Sequence, residues 1–207
     1  MTQKKKVYIF DFDGTLTNCD TLIEFIRFSF SPWACAVGLL LVSPLVVLMK
    51  LGLYSNSKAK QRLFSHFFKG MSLEMFNNNG EAFAECNERY IRQKAVDFIM
   101  DKAKETPRPR LIIVSASFEN WVEPFARLWL GNGKGNDITV LGTRPEVNDG
   151  LLTGRFATPN CYGAEKVRRV SEVLGDRSDY FIEAFGDSRG DKELFDYADK
   201  AHFRPFE

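Results

Sequence analysis

The stretch VYIFDFDGTLTNCD, residues 7–20, decides the fold. Its first four residues are mostly apolar and predict a buried strand, and Asp11 and Asp13 follow directly before a Gly-Thr turn. Side chains two apart on a strand point the same way, so both carboxylates can face the carboxyl end of a sheet. Burying two carboxylates side by side is costly unless a cation joins them. The stretch therefore predicts a strand that ends at a site for positive charge.

Similar apolar runs recur along the chain, with helical patterns between them. The runs are LIIV at Leu111, ITVL at Ile138 and YFIEAF at Tyr180, with AHF at Ala201 as an edge strand. Residues 118–130 and 162–174 predict helices, EVNDGLLTG (146–154) predicts a hairpin, and GNGKGN (131–136) predicts a loop. Strands that alternate with helices indicate an α/β fold, here a Rossmann-like parallel sheet with flanking helices.

Residues 19–92 have helical periodicity and no clear strand. A connection of that length is typical of an inserted domain or a functional lid. We therefore expect an α-helical cap at 19–92 and a catalytic core made of 1–18 plus 93–207.

The cap contains an apolar segment, 33–53, and no charged residue occurs from 28 to 49. About 20 apolar residues suffice to span a bilayer, but one crossing would separate Asp11 from Ser115 and Lys166. Ser43-Pro44 divides the run into two pieces, which predicts a broken helical hairpin that enters one leaflet. Burial inside the cap and a homodimer seam are the alternatives for this segment.

Composition excludes several classes of protein. The 207 residues carry a formal net charge of +1, so no overall field favours nucleic acid as a partner. The four cysteines form no C-x-x-C pair and indicate reduced thiols rather than a disulfide framework or a zinc site. The apolar run after the basic start is too short for a signal peptide. We expect a cytoplasmic location, with contact to the inner face of the membrane through 33–53.

Other strand ends also deliver polar side chains to the same edge of the sheet. LIIVSAS provides Ser115, EAFGDSRGD provides Asp187 and Asp191, and Lys166 lies near the start of a helix. Carboxylates are typical ligands of Mg²⁺, whereas lysine and hydroxyl groups suit phosphate. Each motif alone is also typical of a turn, a helix cap or a surface loop. Together they predict a phosphoryl-transfer site.

DFDGTLT, VSAS, Lys166 and GDSRGD resemble the four ordered motifs of the haloacid dehalogenase superfamily of phosphohydrolases. The helical insert resembles the branch that includes phosphoserine phosphatase. The resemblance implies that Asp11 is the nucleophile, which forms an aspartyl-phosphate, and that Asp13 is the general acid and base. It also implies that Asp11, Asp187 and the backbone carbonyl of Asp13 bind Mg²⁺, and that Ser115 and Lys166 bind the phosphoryl oxygens. Thr15 would brace the phosphate-binding first loop, and Asp191 would order either the water shell of the metal or Lys166.

The cap is expected to select the leaving group. In phosphoserine phosphatases a glutamate nine positions after the nucleophile and a cap arginine bind the serine. Here an aspartate, Asp20, stands at that distance, and Arg62 is the candidate arginine. The apolar cap segment instead resembles phosphatidylglycerophosphatase C, which implies a lipid phosphate. Alternatives from other classes are a phosphotransferase, a signalling module that stores phosphate on an aspartate, and a membrane adaptor with a vestigial site.

Overall fold

The computed structural model describes residues 4–131 and 137–207. Apart from Gly131, the predicted GNGKGN loop lies outside these residues.

The core of the fold is a five-stranded parallel sheet in the order β3-β2-β1-β6-β7, and a separate antiparallel hairpin joins β4 to β5. All five predicted sheet strands are present, and the strand that carries the opening motif is central. The strands are β1 (Lys5–Phe10), β2 (Arg110–Phe118), β3 (Ile138–Thr143), β4 (Pro145–Asn148), β5 (Leu151–Phe156), β6 (Tyr180–Gly186) and β7 (Lys200–Phe203). The predicted Asp-Gly turn has Asp149 at φ 50° and Gly150 at φ 76°, the positive values that such a hairpin turn requires.

Among the described residues, five α-helices fill the connection between β1 and β2, and three more α-helices follow β2. They are α1 (Thr21–Ser29), α2 (Pro32–Lys50), α3 (Asn56–Phe68), α4 (Leu73–Cys86), α5 (Gln93–Lys102), α6 (Glu119–Trp129), α7 (Ala164–Leu174) and α8 (Lys192–Tyr197). Helix α7 begins two residues later than expected because Gly163, with φ 61°, is not helical. The prediction of an α/β fold with a parallel sheet is confirmed.

The expected break at Pro44 is wrong, because α2 continues through it as one helix. Proline has no N–H, so the carbonyl of Leu40, four residues earlier, loses its usual donor. The hydroxyl of Ser43 donates to that carbonyl at 2.8 Å and replaces the missing bond. Within the part of the chain that the structure describes, no helix combines the length and the hydropathy that a membrane crossing needs.

The helical insert packs directly on one face of the sheet. Phe25 of α1 stacks on Trp121 of α6 at 4.6 Å between ring centroids, and Phe64 of α3 stacks on Phe118 of β2 at 4.5 Å. All four rings belong to one buried apolar cluster that also contains Phe10 of β1. The insert and the sheet therefore share a hydrophobic core, whereas the division into cap and catalytic core stays a prediction.

The β4–β5 hairpin, which comes later in the chain than the insert, also holds the insert in place. The N–H of Leu152 donates to the carbonyl of Met71 at 2.8 Å, and the N–H of Gly70 donates to the carbonyl of Leu152 at 2.8 Å. Since these bonds join β5 to the segment between α3 and α4, the hairpin fixes the insert against the core.

At Gly38, α2 packs closely on α3. A Cβ added there would lie 2.3 Å from Cζ of Phe67 and 2.8 Å from Cδ2 of His66. We therefore expect Gly38→Leu to destabilise the protein by about 1–3 kcal/mol, because overpacking displaces the Phe67 ring. Urea unfolding would measure it, with the exposed Ala36→Leu on the same helix as the matched control. Equal stability of the two variants would contradict this account of how α2 is held.

Candidate active site

Asp11 lies at the carboxyl end of the central strand. Strands β2 and β6 flank β1, and the N–H of Asp11 donates to the carbonyl of Phe185 in β6 at 2.8 Å. Only 5% of the Asp11 surface is exposed. Because the carboxyl ends of the neighbouring strands meet here, residues that are far apart in sequence converge on this carboxylate.

Lys166 is the central cation of the site and is 2% exposed. Its Nζ donates to Oδ1 of Asp11 and to Oδ1 of Asp191, both at 2.6 Å. Burial alone lowers the pKa of Lys166, but the two carboxylates outweigh it and the net pKa lies above the usual value. Removing one member of such a buried set typically costs about 3–5 kcal/mol, so Lys166 holds β1 and the segment after β6 together.

The carboxylates outnumber the cations at this end of the sheet. One oxygen from each of Asp11, Asp187 and Asp191 lies within 4.8 Å of the others, and the ammonium of Lys166 pairs with Asp11 and Asp191. Burial raises the pKa of Asp11 to about 8, although Lys166 opposes the shift, and burial followed by Asp191 raises that of Asp187. A divalent cation would relieve this excess negative charge. Hard carboxylate oxygens are the donors that Mg²⁺ prefers, so the residues fit a metal site.

Two glycines make room for this cluster. Gly14 has φ 78°, and a Cβ there would lie 2.4 Å from Oδ2 of Asp187; a Cβ at Gly186 would lie 2.6 Å from Cγ of Asp191. Asp191 also accepts from the N–H of Asp187 at 3.2 Å and from the N–H of Ser188 at 3.1 Å. Asp191 thus orders the loop that presents Asp187.

Asp13 accepts hydrogen bonds on both carboxylate oxygens. Its Oδ1 accepts from the N–H of Thr21 at 2.8 Å and from the Thr21 hydroxyl at 2.5 Å. Its Oδ2 accepts from the hydroxyl of Ser117 at 2.5 Å and from that of Ser115 at 3.4 Å. Sequence reasoning missed Thr21 and Ser117 as partners of Asp13, although Ser117 belongs to the VSAS motif and Thr21 directly follows the opening stretch.

Ser115, predicted to bind phosphate, and Thr15, predicted to brace the phosphate-binding loop, do not line the cavity. Ser115 is fully buried and its Oγ accepts from the N–H of Ser117 at 2.9 Å. Thr15 is also buried, and its hydroxyl has no hydrogen-bond partner within the described residues. The hydroxyl of Thr17 braces the first loop instead, because it contacts the carbonyl of Phe12 at 3.2 Å and accepts from the N–H of Gly14 at 3.3 Å.

A cavity of about 540 Å³ opens above these groups. Its charged lining comprises Asp11, Asp13, Asp20, Lys60, Lys166 and Asp187. Its apolar lining includes Leu22, Ile23, Val42 and Leu63 from the insert. The cavity therefore combines a charged floor with an apolar wall.

Of the two residues predicted to select the substrate, only Asp20 lines the cavity. Its carboxylate also caps α1 by accepting from the N–H of Leu22 at 3.0 Å. Arg62 is exposed and does not line the cavity. Lys60, one half-turn earlier on α3, lines the cavity in its place.

Lys60 differs from Lys166 in its partners. Its Nζ donates to the carbonyl of Ala116 and lies 5.7 Å from the centroid of Phe118. No carboxylate of the described residues forms an ion pair with it, and burial lowers the pKa of Lys60 although Asp13 and Asp20 oppose the shift. Lys60 is thus a partly buried amine that still has capacity for an anion.

The comparisons with known proteins agree with this geometry. Residues 8–196 match the family of haloacid dehalogenase-like hydrolases. The chain belongs to this family. Protein CicA from Caulobacter vibrioides is 32% identical over 200 residues, which cover 95% of this chain and 85% of that protein.

Solved structures share the fold at lower sequence identity. A protein of unknown function from Bordetella pertussis Tohama I has a TM-score of 0.77 at 20% identity, with 96% of this chain and 89% of that chain covered. The phospho-aspartyl intermediate analogue of phosphoserine phosphatase has a TM-score of 0.61 at 21% identity, with 96% and 86% covered. The prediction of a haloacid dehalogenase-family hydrolase with a phosphoserine phosphatase-like fold is confirmed.

The acidic cluster predicts that Mg²⁺ stabilises the folded protein. A ligand at about 100 times its Kd adds about 2.7 kcal/mol to the free energy of unfolding. We expect thermal unfolding of the wild type to shift upward with Mg²⁺ and the shift to disappear in Asp187→Asn. Asp20→Asn is the matched control, because Asp20 lines the cavity outside the cluster and should keep the shift. An unchanged shift in Asp187→Asn would contradict this metal site.

Proposed function

We propose that the protein is a Mg²⁺-dependent phosphomonoester hydrolase that acts through an aspartyl-phosphate on Asp11. The observation that carries the proposal is the buried Asp11–Lys166–Asp191 set beneath a cavity, in a chain of the haloacid dehalogenase-like hydrolase family. Three carboxylates beside one lysine favour a divalent cation together with an anionic substrate. Mg²⁺ held by Asp11, Asp187 and the backbone carbonyl of Asp13 would shield the phosphoryl charge from the nucleophile.

The reaction has two steps. A carboxylate oxygen of Asp11 attacks phosphorus, the bond from phosphorus to the leaving oxygen breaks, and Asp13 gives its proton to that oxygen. Water then attacks the phosphorus of the aspartyl-phosphate, Asp13 takes a proton from the water, and orthophosphate leaves. Lys166, which lines the cavity, is the proposed contact of the phosphoryl oxygens and also fixes the direction of the Asp11 carboxylate. Ser115 lies behind the cavity wall and would support the site through its bonds with Asp13 and with the N–H of Ser117.

The apolar wall supports a lipid phosphate as substrate. Leu22, Ile23, Val42 and Leu63 of the insert line the same cavity as the charged groups. An ester with a phosphate head and an apolar tail matches both surfaces, because the tail contacts carbon while the head lies at Asp11. Phosphatidylglycerophosphate is the specific candidate.

A second candidate, phosphoserine, is favoured by a different pair of residues. Asp20 and Lys60 line the same cavity with opposite charges. They complement the ammonium and the carboxylate of an amino acid, and Lys60 would then take the role that the sequence suggested for Arg62. The phosphate-release assay below distinguishes the two substrates.

The first test is Mg²⁺-dependent phosphate release from phosphatidylglycerophosphate in micelles, from phosphoserine and from glycerol phosphate. Asp11→Asn should lower release by a factor of about 10⁴ or more, because the nucleophile is lost. Arg62→Gln, at an exposed position away from the cavity, is the control and should keep wild-type rates. Release from the lipid alone would support the leading candidate, and release from phosphoserine alone would support the second.

The same assay tests the remaining classes. An added alcohol that captures the phosphoryl group more often than water would indicate a phosphotransferase. A phosphoenzyme that persists for minutes would indicate a phosphate-storing module. No release from any substrate in the wild type would contradict the proposed function.

We also propose that α2 makes peripheral contact with an anionic membrane surface. Large apolar side chains lie exposed on one side of the helix, with Trp33 78% and Leu40 73% exposed. Others on that side are Val37, Leu41, Val47 and Leu48, and Leu51 and Leu53 follow the helix. The spacing of three and four residues makes them one stripe. The buried side of α2 includes Val42, so the helix that would meet lipid also forms a wall of the cavity.

The charge of the insert supports lipid as the partner of this stripe. Residues 25–73 contain no aspartate or glutamate and, besides Lys60 in the cavity, five basic residues, namely Arg27, Lys50, Lys58, Arg62 and Lys69. Basic groups near an anionic bilayer contribute about 1 kcal/mol each, and an apolar helix face adds burial in the headgroup region. A second copy of the chain is the alternative partner. The cytoplasmic location stays a prediction.

Vesicle flotation tests this contact. The wild type should float with vesicles of phosphatidylglycerol in phosphatidylcholine and much less with phosphatidylcholine alone. The double variant Leu40→Gln and Leu41→Gln should bind at least about tenfold more weakly, since apolar burial is lost. Met75→Gln with Val147→Gln changes exposed apolar residues elsewhere and is the control. A dimer that the α2 variant disrupts, without vesicle binding by the wild type, would contradict membrane contact.

A further inference from the structure

A buried chain of hydrogen bonds leads from α6 to the second aspartate of the site. Nε1 of Trp121 donates to the hydroxyl oxygen of Thr21 at 3.0 Å, and that hydroxyl lies 2.5 Å from Oδ1 of Asp13. Trp121 and Thr21 are both fully buried. The indole N–H is a donor only, so the Thr21 oxygen is the acceptor of this first bond.

The direction of the first bond determines how the rest of the chain is arranged. Since Thr21 accepts from Trp121, its own hydroxyl proton is available to Oδ1 of Asp13, which also accepts from the Thr21 N–H at 2.8 Å. Oδ1 thus has two donors that come from one buried residue. The N–H is fixed in the backbone, and the hydroxyl, which also lies 3.3 Å from Oγ of Ser117, has Oδ1 of Asp13 as its closer acceptor.

The other oxygen of Asp13 has a different environment. Its closest donor is the hydroxyl of Ser117 at 2.5 Å, and Ser117 lines the cavity, whereas Thr21 does not. A hydroxyl at the cavity wall can rotate when a ligand arrives. Oδ2 is therefore the oxygen of Asp13 that can exchange a protein donor for a group of the substrate.

We propose that Thr21 and Trp121 are positioning residues that hold Oδ1 of Asp13, so that Oδ2 transfers the proton to the leaving oxygen. The inference rests on the proposed function and adds residues to it. In the first step the Asp11 oxygen bonds to phosphorus, the bond to the leaving oxygen breaks, and the proton on Oδ2 of Asp13 moves to that oxygen. Trp121 and Thr21 do not contact the substrate; they act through the orientation of Asp13.

A positioning role makes a prediction that depends on the leaving group. General acid catalysis contributes about 10²–10⁴-fold and matters most when the leaving oxygen is strongly basic. In Trp121→Phe and Thr21→Val we expect kcat/KM for glycerol phosphate to fall about 10- to 100-fold, within the range of general acid catalysis. For p-nitrophenyl phosphate, whose leaving group needs little protonation, we expect a change below about threefold. kcat/KM reports the step that forms the aspartyl-phosphate, which isolates the acid role of Asp13.

Matched variants separate positioning from folding. Trp129 lies on the same helix, and its Nε1 donates to the carbonyl of Ala84 at 2.8 Å, so Trp129→Phe removes an equivalent bond away from Asp13 and should keep wild-type rates. Thr21→Ser retains the hydroxyl and should restore activity toward glycerol phosphate. An equal loss with both substrates, or no loss with either, would overturn the inference while leaving the proposed function intact. No Asp11-dependent release by the wild type would overturn the proposed function itself.

Discussion

The ammonium of Lys166 between two buried carboxylates is the interaction on which the rest of the structure depends. It joins Asp11, at the end of the central strand, to Asp191, in the segment after β6. Lys166 is 155 residues from Asp11 in sequence and 25 residues from Asp191. A buried charge without a partner would be strongly destabilising, so each of the three groups requires the other two. The parallel sheet is what makes this possible, because it brings the carboxyl ends of distant strands to one edge.

The excess of negative charge that remains is the link from fold to chemistry. Lys166 can neutralise one carboxylate, yet Asp11, Asp187 and Asp191 converge within a few ångströms. A divalent cation would stabilise such a cluster, and under the proposed function it would also allow a phosphate to approach Asp11. The glycines at positions 14 and 186 allow the carboxylates to lie this close together, because any side chain there would occupy the space of a carboxylate.

The sequence was sufficient for the sheet and for the charged floor of the site. The apolar runs predicted every strand of the parallel sheet, and the motifs at their ends named Asp11, Asp13, Lys166 and Asp187, all of which line the cavity. These features depend on local patterns and on the general geometry of parallel sheets. They need no knowledge of how the insert packs.

Features that depend on tertiary packing could not be predicted. Residues two apart on a helix point about 200° from one another, so whether Lys60 or Arg62 meets the cavity depends on which face of α3 is buried. Pro44 favours a helix break by default, and the continuation of α2 depends on the Ser43 hydroxyl and on close packing elsewhere along the helix. Trp121 donates a hydrogen bond to Thr21, which lies 100 residues earlier in the sequence and in turn contacts Asp13. No local sequence pattern indicates the contact between Trp121 and Thr21.

The measurement that tests the central claim most directly is fluorine NMR of the protein with beryllium fluoride, a mimic of the acyl phosphate of aspartate. If Asp11 is the nucleophile and the carboxylate cluster holds the metal, protein-bound fluorine signals should appear with the wild type only when Mg²⁺ is present. They should be absent in Asp11→Asn and weakened in Asp187→Asn, and Arg62→Gln should retain them. Bound signals that persist in Asp11→Asn, or that do not require Mg²⁺ in the wild type, would contradict the account.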